Sequence, residues 1–483
     1  MKEDLKKRGK SFNIIMAICI LALNFCFIFF KGINNMDELW NFNFARNIAS
    51  GLQPYRDFNI ITTPLLPCII AIFFKIFGEK VIVERALSFI LFNCIIFLVY
   101  KVLKKITCNE VAILFCLGLL TLFYNVIFID YNFLSLCIML VMLLIEIKNI
   151  DKEKVKNNIG VDIVIGILAG LVVCTKHTIG CILLFIISMY KFLEIYHKAD
   201  LMAILKQSGV RMLCGLVTTL PFWIYLAVSH TFTDFLDQCI FGIKSFTHSN
   251  GIVIGIIGLV ILICIGCYLL VKKSKDKKIN ILYAYSLASF FICIPLVDKV
   301  HLVLAIVIPA VFLTYVLYKK VENKLAPEFT KYMKAYCYMF VFILALTATV
   351  VIYSCLKSGR IETRVEEYKG IVISKEIKEM LNEVDVYIMQ NKVNGKDVYI
   401  LDGTSAYYNI PLAIYRKYYD LLLVGNLGSS GEDGIIEDIK SKENAIFLIT
   451  DESIIEQNVN KVIEYVKQNY TLDGKVSVFN VYH

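Results

Sequence analysis

Runs of about twenty apolar residues, broken by short charged clusters, occupy roughly three quarters of the chain; stacked transmembrane helices need that pattern and a soluble core does not. The first run, Phe12–Phe30, follows a basic N-terminus (Lys2, Lys6, Lys7, Arg8, Lys10). It is longer than a signal-peptide core and no A-x-A-like cleavage site follows it, so it reads as an uncleaved first span. Further spans are predicted at Ala86–Leu103 and at about 111–129, 131–147, 161–175, 178–195, 212–229, 251–271, 281–297, 302–318 and 335–355, about eleven crossings in all.

Ile60–Phe77 is also apolar, but it holds Pro64, Pro67 and Lys75. If it crossed as well, Lys101, Lys104 and Lys105 would lie outside, against the rule that keeps basic clusters in the cytoplasm. It is therefore expected to lie in, or dip into, the outer membrane face. Every later cluster then falls inside: Lys148/Lys152/Lys154/Lys156, Lys191/Lys198/Lys206/Arg211, Lys272/Lys273/Lys275/Lys277/Lys278 and Lys319/Lys320/Lys324/Lys331/Lys334. The N-terminus is thus expected in the cytoplasm and the C-terminus outside a plasma membrane.

From about Lys357 the pattern turns mixed and charged. Val398–Leu401, Ala445–Ile449 and Val476–Val481 read as strands, and Ser374–Gln390 and Ser453–Gln468 carry helical spacing. The predicted fold is an α-helical polytopic membrane domain at 1–356, with its first outer loop and juxtamembrane helices at 31–85, followed by a small extracytoplasmic α/β domain at 357–483. Gly425–Gly434 (GNLGSSGEDG) fits neither G-x-G-x-x-G nor a P-loop and is expected to be a flexible surface loop.

Of the 483 residues 58% are hydrophobic and 19% charged, and the formal charge is +9. The excess Lys and Arg sits in the clusters between spans, so it orients the chain in the bilayer and does not indicate nucleic acid. Nearly all of the 16 cysteines lie in or beside apolar runs and none beyond Cys355, so no disulfide framework is implied. Cys264 and Cys267 form a C-x-x-C inside a span with no second ligand pair, which reads as helix packing and not as zinc.

Ionisable residues gathered at one membrane face mark a functional site, because each is costly near hydrocarbon unless paired or wet. The expected outer loops hold Asp37 and Glu38, Arg56 and Asp57, Asp130, Lys176 and His177, Lys244 and His248, and Asp298, Lys299 and His301. Carboxylates and cations together suit deprotonation of a hydroxyl or amine beside a phosphate leaving group, with Asp37 the first choice of general base. For the others, solvated loop charge is the competing reading. Trp40, Phe42 and Phe44 suit either sugar stacking or an interfacial aromatic belt; Trp223 reads as packing and His230 as interfacial.

Residues 37–85, DELWNFNFARNIASGLQPYRDFNIITTPLLPCIIAIFFKIFGEKVIVER, resemble the first outer loop of C-type (GT-C) glycosyltransferases of the protein O-mannosyltransferase and lipid A aminoarabinose transferase superfamily, glycosyltransferase family 39. Asp37–Glu38, Gly51, Thr63–Pro64–Leu65, Phe77–Gly78 and Arg85 match in order, and Asp130 in IDYN and Thr175–Lys176 in VVCTKHTIG continue the similarity more weakly. Thr62 stands where the family's loop carries Lys, so a phosphate contact would fall to Arg56, Lys176 or Lys244. The resemblance implies inverting transfer of a sugar from a polyprenyl-phosphate donor to an extracytoplasmic acceptor, with Asp37 as base, Glu38 and Asp130 assisting, and Arg56, Asp57, Arg85, Lys176, His177, Lys244, His248, Asp298 and His301 binding donor phosphate or substrate. No cofactor and no obligatory metal are expected. The outward site fits this independently, since nucleotide sugars are cytoplasmic. A lipid or sugar flippase, or a silent envelope anchor, remain the alternatives of other classes.

Overall fold

In the computed structural model the described residues run from 2 to 483, apart from 34–35, 125, 127, 152–157, 197–200, 243–256, 259–260, 262–264, 267–275, 295–296, 325–327, 359–365, 374, 403–404, 408–416, 420–421, 423–424 and 451–458. They form two compact units. The first gathers Met1–Phe30, Leu87–Pro221 and Ser249–Tyr353; the second gathers Lys31–Ala86, Phe222–His248 and Ser354–His483.

The long helices are α1 (Lys2–Phe29), α4 (Val81–Ile106), α5 (Asn109–Phe123), α6 (Tyr131–Ile150), α7 (Ile159–Thr175), α8 (His177–Tyr196), α9 (Leu201–Val228), α11 (Lys277–Phe290), α13 (Val307–Val321) and α14 (Phe329–Ser358), with α2 (Met36–Ala49), α3 (Leu65–Phe77), the five-residue α10 (Phe232–Leu236) and α12 (Lys299–Ala305) between them. Six stretches among the described residues are long and apolar enough to cross a membrane: Lys10–Phe29, Val81–Ile106, Tyr131–Ile150, Lys206–Val228, Lys299–Lys324 and Phe329–Lys357. Shorter apolar helices stand at Leu65–Phe77, Asn109–Phe123, Ile159–Thr175 and His177–Lys191. The chain is a multi-pass membrane protein. The expected span 251–271, with Cys264 and Cys267, falls largely outside the described residues; each of the others overlaps a helix. Ile60–Phe77 is shortened to α3, which starts after Pro64 because proline fits the first turn of a helix and not its interior.

In the first unit α6 packs on α7, α7 on α8, and α11 on α6, α8 and α13. Phe92, Phe123 and Phe133 form one ring cluster, with Phe92 and Phe133 centroids 4.4 Å apart. Helices α7 and α9 approach backbone to backbone. A Cβ on Gly166 would sit 2.5 Å from the Arg211 carbonyl oxygen, and one on Gly170 would sit 2.6 Å from that of Gly215. This spacing, small residues four apart, is what lets membrane helices close without a hydrophobic drive between them.

Beside that contact lies a buried charge network. The Arg211 guanidinium lies 2.6 Å from Glu146 of α6 through Nη1 and 2.7 Å from Asp162 of α7 through Nε, and Lys191 of α8 stands 4.0 Å from Asp162. Arg211 is 1% exposed, so it belongs to the packed interior.

In the second unit the tail forms a four-stranded sheet of order β1-β2-β4-β3, with β1 (Asp397–Ile400), β2 (Ala445–Thr450), β3 (Leu472–Val476) and β4 (Phe479–Tyr482). Strands β1 and β2 are parallel, the other two pairings antiparallel. Helices α15 (Lys375–Val393), α16 (Gly431–Lys440) and α17 (Asn460–Asn469) accompany it. Tyr399, Phe447, Ile435, Ile439, Val462 and Val466 share its core. Two expectations change here. The single strand at Val476–Val481 is a hairpin that reverses at Ser477, whose φ is 53°. The glycine-rich stretch is packed, with Asn426 and Leu427 buried, and its second half is the start of α16. The helix expected at Ser453–Gln468 is described only as α17, since 451–458 lie outside the described residues.

Arg211→Met leaves Glu146 buried without its cation and Asp162 with only Lys191 at 4.0 Å, and is expected to cost about 3–5 kcal/mol, read as a lower unfolding temperature in detergent. Adding Glu146→Gln and Asp162→Asn to it is expected to recover most of that loss. Gly170→Val is expected to cost about 1–3 kcal/mol in the same assay by wedging α7 from α9.

Candidate active site

Asp37 and Glu38 occupy the first turn of α2, where the free amides and the helix dipole favour negative charge. Their surroundings differ. Glu38 is buried and bound bidentately by Arg85, Nε to Oε1 at 2.6 Å and Nη2 to Oε2 at 3.0 Å. The same guanidinium donates from Nη1 to the Lys31 carbonyl at 2.5 Å and from Nη2 to that of Gly32 at 3.4 Å. Arg85 thereby ties the start of α4 to α2 and to the segment before it. Asp37 is half-buried, and its carbonyl accepts a hydrogen bond from Asn41 Nδ2 at 2.8 Å. Burial lowers the Lys31 ammonium below its ordinary range, with Glu38 pulling it back up.

Helix α2 lies on α3 through Phe42 and Phe74, whose ring centroids are 4.8 Å apart, and Arg46 reaches Glu79 at 3.2 Å. Phe42 and Phe44 are therefore packed residues, the latter stacked on Phe58, while Trp40 stays half-buried. Arg56 and Asp57 pair with each other, Nε to Oδ1 at 2.8 Å, and Asp57 also accepts the Gln53 amide at 2.7 Å. That hydrogen bond from Arg56 holds the Asp57 carboxyl below the ordinary range against the opposing effect of burial. The guanidinium itself is exposed, and the loop that carries it is fixed: Gln238 Nε2 donates to the Tyr55 carbonyl at 2.8 Å, the Ile60 amide donates to Gln238 Oε1 at 3.1 Å, and Tyr55 Oη donates to the Thr62 carbonyl at 2.8 Å. Thr62, in the place of the family's lysine, is buried in that loop. Lys244 and His248 lie outside the described residues.

The first unit holds the other candidates. Asp130 precedes α6 and is 4% exposed; Asn132 Nδ2 donates to its Oδ2 at 2.7 Å. Lys176, at the junction of α7 and α8, donates to Asn132 Oδ1 at 2.9 Å and to the Ile292 carbonyl at 3.1 Å, and its ammonium stands 5.3 Å over the Tyr131 ring. Asp298 caps α12: it accepts the His301 amide at 2.8 Å and lies 2.7 Å from His301 Nδ1. Burial raises the Asp130 carboxyl, with His301 and Lys176 acting against it, and burial brings the Lys176 ammonium down to about 8. Asp298 is held below its usual range because the His301 hydrogen bonds and charge outweigh burial. His177, next to Lys176, is half-buried. Asp130, Lys176, Asp298 and His301 thus form one electrostatically coupled group. Asn132, its central bridge, was missed in the sequence although it stands two residues from Asp130; Gln238 had no sequence signal at all.

Residues 62–225 match the family model described as dolichyl-phosphate-mannose-protein mannosyltransferase. No curated protein matches the chain by sequence. Among solved structures, ArnT from Cupriavidus metallidurans bound to undecaprenyl phosphate aligns over 98% of this chain and 98% of its own, with a TM-score of 0.58 at 12% identity. The oligosaccharyltransferase from Archaeoglobus fulgidus in its apo form aligns over 91% of this chain and 69% of its own, with a TM-score of 0.51 at 12% identity. The family match carries the activity and the structural likeness the architecture: the chain is a membrane glycosyltransferase with the GT-C fold.

Proposed function

We propose that the chain moves a sugar from a polyprenyl-phosphate donor to an acceptor on the outer side of the membrane, inverting the anomeric centre, with Asp37 as general base. The observation that carries this reading is the division of labour in the first turn of α2. Arg85 occupies the Glu38 carboxylate, and the neighbouring Asp37 keeps partial exposure at a helix N-terminus. The ArnT structure gives support on the donor side, because that protein holds undecaprenyl phosphate.

In the proposed step Asp37 takes the proton of the acceptor hydroxyl or amine, and the acceptor's freed electron pair forms the new bond to C1. The bond from C1 to the donor phosphate oxygen breaks, and its electron pair leaves with the lipid phosphate. Cations that neutralise this growing charge lower the barrier most when they are held in place beforehand. Arg56, on its anchored loop in the unit that holds Asp37, is the described cation assigned to that role. Lys176 and Asp130 are a separate candidate group within the first unit. The N-terminus is placed in the cytoplasm and the tail outside, in line with the lysine clusters between spans.

Asp37→Asn is expected to lower kcat at least about 100-fold, the low end for a lost general base. The measurement is donor consumption by purified protein in nanodiscs with a panel of polyprenyl-phosphate sugars; full turnover by the variant would remove Asp37 from the mechanism. Topology reporters at Lys105 and His483 are expected to register inside and outside respectively. A cytoplasmic His483 would overturn the outward site.

A further inference from the structure

The segment that leads into α2 is held by side chains from far along the chain. Three consecutive carbonyls each accept a hydrogen bond: Lys31 and Gly32 from Arg85, and Ile33 from Tyr407 Oη at 2.9 Å. Gly32 also pairs with Val372 as a short parallel β-bridge. Tyr407 and Val372 belong to the C-terminal tail, and all of these residues lie within the second unit.

Tyr407 is itself fixed. Its carbonyl accepts from Tyr368 Oη at 2.9 Å, and Tyr368 is fully buried. The turn beneath it is closed by Ser405, whose amide donates to the Asp402 carbonyl at 2.9 Å and whose hydroxyl donates to the Tyr419 carbonyl at 3.0 Å. The phenol is buried, and its hydroxyl lies within the electrostatic reach of Glu38 and Arg85. Burial of a donor and acceptor together makes the bond costly to lose.

We propose that Tyr407 is a positioning residue: through the Ile33 carbonyl, four residues before Asp37, the tail sets the angle at which α2 presents its first turn. This rests on the assignment of Asp37 as the base. The tail then acts as a working part of the transferase and is more than an appendage. Glu38 and Arg85 fix the first turn from the membrane side of the sequence, and Tyr407 fixes it from the tail. Arg85 holds the first two carbonyls of the three-residue segment and Tyr407 the third, so neither replaces the other.

Tyr407→Phe in the full-length protein tests this, since it deletes one hydroxyl and keeps the buried ring. Amide hydrogen exchange in the peptide covering Met36–Ala49 is expected to quicken about five-fold, the equivalent of one ordinary hydrogen bond. With the polyprenyl-phosphate sugar that the wild-type protein consumes fastest, kcat is expected to fall by a similar factor while KM for the donor and the unfolding temperature hold. Tyr470→Phe is the control: it deletes a tail hydroxyl outside this network, bonded to the Ile439 carbonyl at 3.5 Å, and is expected to leave both readings at wild-type values. Unchanged exchange over Met36–Ala49 overturns the proposal, and so does an unchanged kcat under conditions where Asp37→Asn is inactive. A fall in unfolding temperature with kcat and KM altered together assigns Tyr407 a general structural role and also overturns it. If Asp37→Asn retains full transfer, the base assignment fails and takes the catalytic consequence with it, while the exchange reading still decides whether Tyr407 holds α2.

Discussion

The second unit depends on the buried pair between Glu38 and Arg85. Two charges at 3–5% exposure are stable only as a pair, and removing either would leave the other without compensation at a cost of about 3–5 kcal/mol. Because the pair is bidentate, it fixes orientation as well as distance. Its remaining donors hold the carbonyls of Lys31 and Gly32, so one guanidinium aligns the segment after α1, the start of α2 and the start of α4. Two adjacent acidic residues thereby acquire separate duties. Glu38 is held by the Arg85 guanidinium, while Asp37 stands half-buried at the same helix terminus.

The first unit answers the same constraint with a different chemistry at each site. Arg211 is neutralised directly by Glu146 and Asp162 deep among the helices, a closed arrangement that favours packing and register. Lys176 meets Asp130 only through the Asn132 amide, whose two ends serve one charge each. An amide bridge holds a carboxylate and an ammonium near each other without a direct ion pair. Burial lowers the Lys176 ammonium and raises the Asp130 carboxyl, so each is less firmly charged than it would be in water. The first network closes on itself by direct pairing, and the second is held through one amide.

Much of this was legible in the sequence where the signal is local. Apolar length gave the helices, and the ordered set from Asp37 to Arg85 gave the fold. Long-range pairing left no such trace. Arg211 read as one more inner basic residue because Asp162, its partner 49 positions away, lies in another span. The reversal at Ser477 was invisible because neither Ser477 nor Val478 is a glycine, asparagine or proline, so two strands looked like one. The loop at 425–430 looked mobile because glycine reports backbone freedom in the isolated chain and says nothing about what that freedom is used for. Here Gly428, at φ 71°, lets the backbone pass so close to Asp237 that a Cβ would clash with its carboxylate.

That contact explains why a tail that reads as a separate domain is grouped with loops from the membrane sequence. Asp237 opens a short π-helical turn and accepts both the amide and the hydroxyl of Ser429; Lys417 pairs with Asp234 at 3.1 Å, and Asn59 Nδ2 donates to the Asn426 carbonyl at 2.7 Å. Loops joining transmembrane helices have little apolar surface of their own to bury, so ordering them costs entropy that they cannot recover alone. The tail has its own core, built on Phe447, Ile435 and Val462, which supplies apolar burial that the loops lack. Each polar contact it forms then orders a loop. The boundary expected near Lys357 follows a change in composition, and Ser354–His483 is grouped with Lys31–Ala86 and Phe222–His248 in the second unit. The tail folds around its own sheet, yet its contacts to 31–33, to 59 and to 234–237 bring the loop segments of the second unit together.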